Sequence, residues 1–339
     1  MKALFIGGTG KISTAITELA AKRGFELYLL NRGNRPSFVP EGVHVIQADI
    51  YNETDVCEKL KGMYFDVVAD FIVFDVESLK RDIRLFSGKT SQYIFISSAS
   101  AYQKPLSSPF ITESTPLFNP FWEYSRNKIA CEEYLMSEYR NHNFPITIVR
   151  PSHTYDNTEI PLAIHGKNGS YSVINRIKNG KKVIVHGDGN TLWTLTHNTD
   201  FAKAFVGLMG NSHAIGETVQ ITSDESLTWN QIYEIIGNAL GVKPNIVHIP
   251  SDALAKASKD FLGGLLGDKA HSVIFDNTKI KRLVPEFTAT TRFDQGVRIA
   301  LDFIEKHPEY QREDKEFDIW TDKMIEVYEA MEQNIPQLS

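Results

Sequence analysis

The feature that most limits how this chain can fold is an alternation. Short runs rich in β-branched and aromatic residues, at Lys2–Ile6, Phe25–Leu30, Val43–Asp49, Asp66–Val73, Tyr93–Ser98 and Ile146–Ser152, are separated by segments with helical periodicity. The first such segment places Ile12, Ala15, Ile16, Leu19 and Ala20 on one face and ends at Gly24, and Val76, Leu79, Ile83 and Phe86 repeat the pattern later. Strands that alternate with helices pair in parallel, and their crossovers are right-handed. The reading is an α/β chain with a doubly wound parallel sheet whose ligand crevice lies at the C-terminal ends of the strands.

After Pro151 the alternation weakens. A loop-rich stretch leads into Lys181–Asp200, a helix is expected near Phe201–Met209, and "GETVQITS" (Gly216–Ser223) reads as one more strand. Thr228 and Gln231 form a capping-box pair at the head of an amphipathic segment, with further helices near Asp252–Leu262, Phe293–Lys306 and Trp320–Met331. "REDKEFD" (Arg312–Asp318) reads as a solvated charged face. At 339 residues the chain has room for two domains. We divide it into a nucleotide-binding domain, 1–160, to which 195–223 returns, and a smaller, mostly helical substrate region, 161–194 and 224–335.

A formal net charge of -6 supplies no basic footprint, so nucleic acid is not the expected partner. Cys57 and Cys131 match no metal or disulfide spacing, and His153, His165, His186 and His197 do not fall at zinc-ligand intervals. No stretch approaches about 18 uninterrupted apolar residues, and the start does not read as a signal peptide. The expectation is a cytoplasmic protein with no membrane partner and no metal, acting on a small molecule.

Between the first strand and the first helix runs "GGTGKIS". Gly7, Gly8, Thr9, Gly10, Lys11 and Ile12 place backbone N–H groups and the positive end of a helix where a pyrophosphate can sit, and Ser13 stands where a third glycine is usual. A tight turn alone would also use such glycines. At the end of the second strand, where an acid would bind the ribose diol of NAD, the chain has Asn31 with Arg32 and Arg35. Guanidinium groups suit a 2′-phosphate, so NADP(H) is expected over NAD(H), although two surface arginines in a turn would look the same. Asp49, followed by Ile50, falls where an adenine contact belongs.

In "FWEYSRNK", Tyr124 and Lys128 share a helix face. A nearby ammonium favours phenolate, which would bring Tyr124 toward working pH as a general acid or base. Ser97, Ser98 and Ser100 stand at the C-terminal end of the fifth strand, where a hydroxyl can hold a reacting oxygen.

Taken together, "GGTGKIS", "FISSASAY", "YSRNK" and "VRPSHTYD", in this order, resemble the extended short-chain dehydrogenase/reductases, and among them the NAD-dependent epimerase/dehydratases. The resemblance implies a Rossmann-type NAD(P) domain and a catalytic Ser98, Tyr124 and Lys128. Ser98 would orient substrate, Tyr124 exchange the proton, and Lys128 bind the nicotinamide ribose. It also implies cofactor contacts from Pro151 and His153 after the sixth strand, and a homodimer through the helix bearing Tyr124.

Substrate contacts are expected from Ser98, Ser100, Tyr155, Arg176 and Trp193. Ala99 and Ser100 stand where dehydratases of the family carry an Asp-Glu pair, which disfavours dehydration. Trp193 stands where nucleotide-sugar epimerases carry an arginine, which disfavours a UDP-sugar. The leading reading is an NAD(P)-dependent oxidoreductase or epimerase acting on a carbinol or ketone carbon of a sugar-like molecule. A non-catalytic dinucleotide-sensing or RNA-associated member of the family, and a nucleotide-sugar epimerase, are the alternatives.

Overall fold

The computed structural model describes residues 1–34 and 38–336. Its centre is a seven-stranded sheet built from β1 (Lys2–Ile6), β2 (Glu26–Asn31), β3 (His44–Gln47), β4 (Val67–Asp70), β5 (Tyr93–Ile96), β6 (Ile146–Pro151) and β7 (Thr218–Ile221). Across the sheet the order is β3-β2-β1-β4-β5-β6-β7, and every neighbouring pair is parallel. This is the doubly wound α/β order, with its switch point between β1 and β4.

Strand periodicity sorts the core into two layers. Ala3 and Phe5 enter one layer, where α1 (Ser13–Lys22) contributes Ala15, Ile16 and Ala20. Leu4 and Ile6 enter the other, formed with α2 (Glu53–Lys59), α3 (Val76–Phe86) and α4 (Glu123–His142) through Val56, Leu79, Leu85, Cys131 and Leu135. β4 ends at Asp70, short of the apolar run that continues to Val73, because the Asp70 carboxylate accepts the N–H of Ile72 at 2.6 Å and turns the chain. The turn carries Ile72 and Phe74 to the wall of the crevice and leaves Val73 in the core.

The later segment adds α5 (Tyr171–Lys178), α6 (Asn198–Leu208) and α7 (Trp229–Leu240). Thr228 and Gln231 do form the capping box that starts α7. α6 packs on α1, with Phe201 and Phe205 in the layer that holds Ala15 and Ile16. A third apolar cluster joins Trp193, Trp229, Ile232 and Ile236 to the helix Phe293–Lys306, through Val297 and Ala300, and to Phe317 on the helix Lys315–Gln333. "REDKEFD" is not wholly a solvated face. Asp314 caps the last helix by accepting the N–H of Phe317 at 3.0 Å, and Phe317 is buried. No described helix is long and apolar enough to cross a membrane.

Candidate active site

The glycine loop opens directly from β1. Gly7 and Gly8 have φ of 101° and 73°, values that side-chain-bearing residues rarely adopt. A Cβ on Gly8 would lie 2.7 Å from Leu29 Cδ2 in the core. One on Gly7 would lie 3.2 Å from Ile72 Cγ2, at the wall of the crevice. Ser13 is buried in place of the third glycine, and its hydroxyl accepts the N–H of Gly10 at 2.9 Å. No described side chain caps the start of α1, where Ile12 packs into the core layer. Asn198, at the head of α6, donates to the Lys11 carbonyl at 3.0 Å and ties the loop to the later segment. Positive-φ glycines, a helix start without a side-chain cap and an adjoining crevice fit a dinucleotide's pyrophosphate.

That crevice is a cleft of about 550 Å³. Gly7, Thr9 and Gly10 line one end, and Asn31, Arg32, Asp49 and Ile50 the other. Asn31 Oδ1 accepts the N–H of Gly33 at 2.9 Å, so its amide shapes the turn after β2 and leaves Arg32 exposed. Arg35, the second arginine of the 2′-phosphate expectation, lies outside the described residues. Lys11 points away from this cleft and pairs with Glu159 across a second cavity.

Phe74 lines the cleft and carries it toward Ser98, Tyr124 and Lys128, its ring 6.3 Å from that of Tyr124. Ser98 Oγ is 2.9 Å from Ser100 Oγ, which accepts from Ser125 Oγ at 2.8 Å. Lys128 is buried, and its ammonium donates to the carbonyls of Val73 at 2.6 Å and Ile96 at 2.7 Å. The turn after Asp70 and the end of β5 thus fix Lys128 from two sides. Burial brings its pKa down to about 8.

Tyr124 departs from the expectation that Lys128 would lower it. Its pKa is raised, first by burial and further by the Asp268 carboxylate, while the Ser98 hydroxyl hydrogen-bonded to it pulls the other way. The Lys128 ammonium is 5.7 Å from the Tyr124 ring centre and committed to its two carbonyls. At neutral pH Tyr124 is therefore a phenol with a proton to give.

Beyond Tyr124 the walls come from residues the sequence reading did not single out. Trp122 packs 5.1 Å from the Tyr124 ring, and the segment Leu262–Lys269, a π-helix, closes over Trp122 at Gly263. Lys269 Nζ lies 6.0 Å from the Trp122 ring centre and 5.7 Å from that of Trp193. The signal that marks Trp122 is its place two residues before Tyr124, and a glycine-rich "LGGLLGDK" marks the π segment.

Two expected substrate contacts lie elsewhere. Arg176 is buried between α5 and the last helix, where it pairs with Asp322 and Asp318 and donates to the Lys182 carbonyl at 2.9 Å. Its charge is spent on joining two helices. Tyr155 packs its ring on His197 and Phe293 and directs its hydroxyl at Gly296, inside the third cluster. Trp193 is also buried, but it touches the site indirectly, stacked 5.7 Å from Trp229 and bonded to His153. Pro151 is buried at the end of β6, and His153 is partly exposed beyond it.

The family model for the NAD dependent epimerase/dehydratase family matches residues 77–222, the stretch that carries Ser98, Tyr124 and Lys128. The chain is 24% identical over 310 residues to 2'-dehydrokanamycin reductase of Streptomyces kanamyceticus, covering 89% of this chain and 84% of that protein. Over that stretch the chain resembles the NAD-dependent epimerase/dehydratase family. It is also 26% identical over 262 residues to the chloroplast stem-loop binding protein of 41 kDa b of Arabidopsis thaliana, covering 73% of this chain and 65% of that one. It shares its fold with UDP-glucuronic acid 4-epimerase from Bacillus cereus, solved in complex with NAD, at a TM-score of 0.71, with 18% identity and coverage of 90% and 99%. The proteins it is similar to include oxidoreductases, epimerases and dehydratases of the extended short-chain type.

Proposed function

We propose that the protein interconverts a carbinol and a ketone on a sugar-like small molecule, as an oxidoreductase or epimerase that uses a nicotinamide dinucleotide. The carrying observation is the meeting of Ser98, Tyr124 and Lys128 at the open end of β5, where Phe74 joins them to the glycine-loop cleft. Gly7, Thr9, Gly10, Asn31, Arg32 and Asp49 would hold the dinucleotide, which when bound supplies or accepts the hydride at its nicotinamide ring. Tyr124, held as a phenol by burial, gives its proton to the ketone oxygen in the reducing direction and takes it back in the oxidising one. Ser98 donates to the same oxygen and shares its developing charge. Lys128, fixed by two carbonyls, is placed to hold ribose hydroxyls.

NAD(H) is the plain expectation for a family whose structural neighbours hold NAD. A preference for NADP(H) rests, among the described residues, on Arg32 and on the absence of a carboxylate at Asn31. Ala99 and Ser100, in place of an Asp-Glu pair, support reduction or epimerisation over dehydration. The test is the Tyr124→Phe variant, with dinucleotide affinity measured beside turnover on a panel of keto sugars. The expected result is a loss of about 10²–10⁴-fold in kcat with unchanged dinucleotide affinity. Full turnover would remove Tyr124 from the proton path.

A second reading follows from the stem-loop binding relative and from Ser13 in the glycine loop: a dinucleotide-fold protein that binds RNA. Its check is a gel shift at physiological salt. Absence of a shift there sets this reading aside.

A further inference from the structure

The segment Leu262–Lys269 roofs the site above Tyr124. π turns are uncommon and collect at functional sites. This one ends by presenting Asp268 and Lys269 to the space beside Trp122. Lys269, with a side chain only 16% exposed, lies over two indole faces and lines a cavity of about 510 Å³ together with Trp122, Phe261 and Trp320. Among the described residues its one counter-ion is the adjacent Asp268, whose carboxylate stands 3.5 Å away, at the outer limit of a hydrogen bond.

Asp268 is shared. Lys104 is fully buried and feels the same carboxylate as the one charge opposing its desolvation. Behind the pocket wall Asp268 is thus shared between Lys269, at 3.5 Å, and the field of the buried Lys104. His153 and His271 flank it and are kept neutral by burial. Of the acids near the mouth, Asp314 is occupied with capping its helix and with the N–H of Asn168. Asp260 and Glu316 are exposed to solvent opposite Lys167. A cation buried with half a counter-ion is stabilised by an anionic ligand that brings hydrogen-bond acceptors. An indole face beside it suits the apolar face of a sugar ring.

We propose that Lys269 determines substrate specificity by binding an anionic oxygen group, carboxylate or phosphate, on a sugar whose ring lies against Trp122. This rests on the function proposed above and narrows its substrate class. A neutral sugar leaves the excess positive charge uncompensated, and an amino sugar adds to it.

Calorimetric titration of the full chain, saturated with NAD⁺, with D-glucuronate, D-glucose 1-phosphate, D-glucose and D-glucosamine tests this. At least one anionic probe should bind about tenfold or more tightly than glucose, with glucosamine weakest, as one charge-assisted hydrogen bond would give. The two anionic arms separate a carboxylate from a phosphate. Lys269→Met should erase the preference and Lys269→Arg should restore it, both with unchanged NAD⁺ affinity and thermal midpoint. Anionic probes no tighter than glucose, a preference that survives Lys269→Met, or no binding of any probe would each overturn the inference. Failure to bind NAD⁺ or to turn over any keto sugar strikes the proposed function instead, and those are separate measurements.

Discussion

Trp193 donates its indole N–H to Nδ1 of His153 at 3.2 Å. Indole can only donate, so Nδ1 must carry the lone pair and the His153 proton resides on Nε2. Burial, with Lys269, His165 and Lys11 nearby, holds the ring well below the usual histidine range and so neutral. In ¹⁵N spectra His153 should appear as the Nε2–H tautomer and stay uncharged at neutral pH. Trp193→Phe removes the donor that stabilises the neutral form, and the His153 pKa should then rise. A downward move would contradict the assignment.

Lys128 gives a pH dependence with two opposite signs. Its pKa in the folded chain is about 8, below the ordinary 10.5 of a lysine. If its ammonium holds ribose, dinucleotide affinity should fall as pH passes about 8, and Lys128→Arg should flatten that fall. Stability runs the other way. Between about 8 and 10.5 the unfolded chain keeps a proton that the folded chain has released, so this group's contribution to stability rises through that window and is lowest below it. Affinity and melting temperature measured across the same buffers check both signs.

The two positive-φ glycines should separate fold from binding. In Gly8→Ala the new methyl meets Leu29 in the core, so the thermal midpoint should drop, with strain of about 1–3 kcal/mol. In Gly7→Ala the methyl points at Ile72 on the cleft wall, so dinucleotide affinity should weaken as well, by about tenfold for each 1.4 kcal/mol of strain carried into the bound state. Equal effects on binding would mean that the wall at Ile72 is not part of the cofactor site.

Arg176→Met should lower stability by about 1–3 kcal/mol, because it strands the Lys182 carbonyl and the buried side of Asp318. KM for any substrate should not change. A selective rise in KM with normal melting would restore Arg176 to the substrate site.

The sheet was legible because its signal is local. Each strand alternates between two layers, as Ala3 and Phe5 against Leu4 and Ile6 show, and each helix carries its own apolar stripe. The meeting of Ser98, Tyr124 and Lys128 was legible for a related reason: Tyr124 and Lys128 share one helix, and Ser98 lies just past the end of one strand. Three things resisted reading. Arg176 looked available because its partners Asp318 and Asp322 lie on a helix far along the chain. The charge state of Tyr124 depends on burial, which spacing does not report. Lys269 reaches the site through a π segment, whose irregular pitch gives no periodic pattern to recognise.

β7 and α6 reach the sheet only after the chain has left it to build the loops and helix between β6 and α6. The half that would grip the cofactor is thus closed by a late return of the chain, and Asn198 on that return holds the glycine loop by the Lys11 carbonyl. No single cut after β6 yields a self-sufficient nucleotide-binding half. For anyone wishing to graft a new substrate pocket onto this scaffold, the π segment downstream of β7 can be exchanged only up to Asn277, because Ile280, Val284 and Phe287 beyond it return to the layer of α1 and α6.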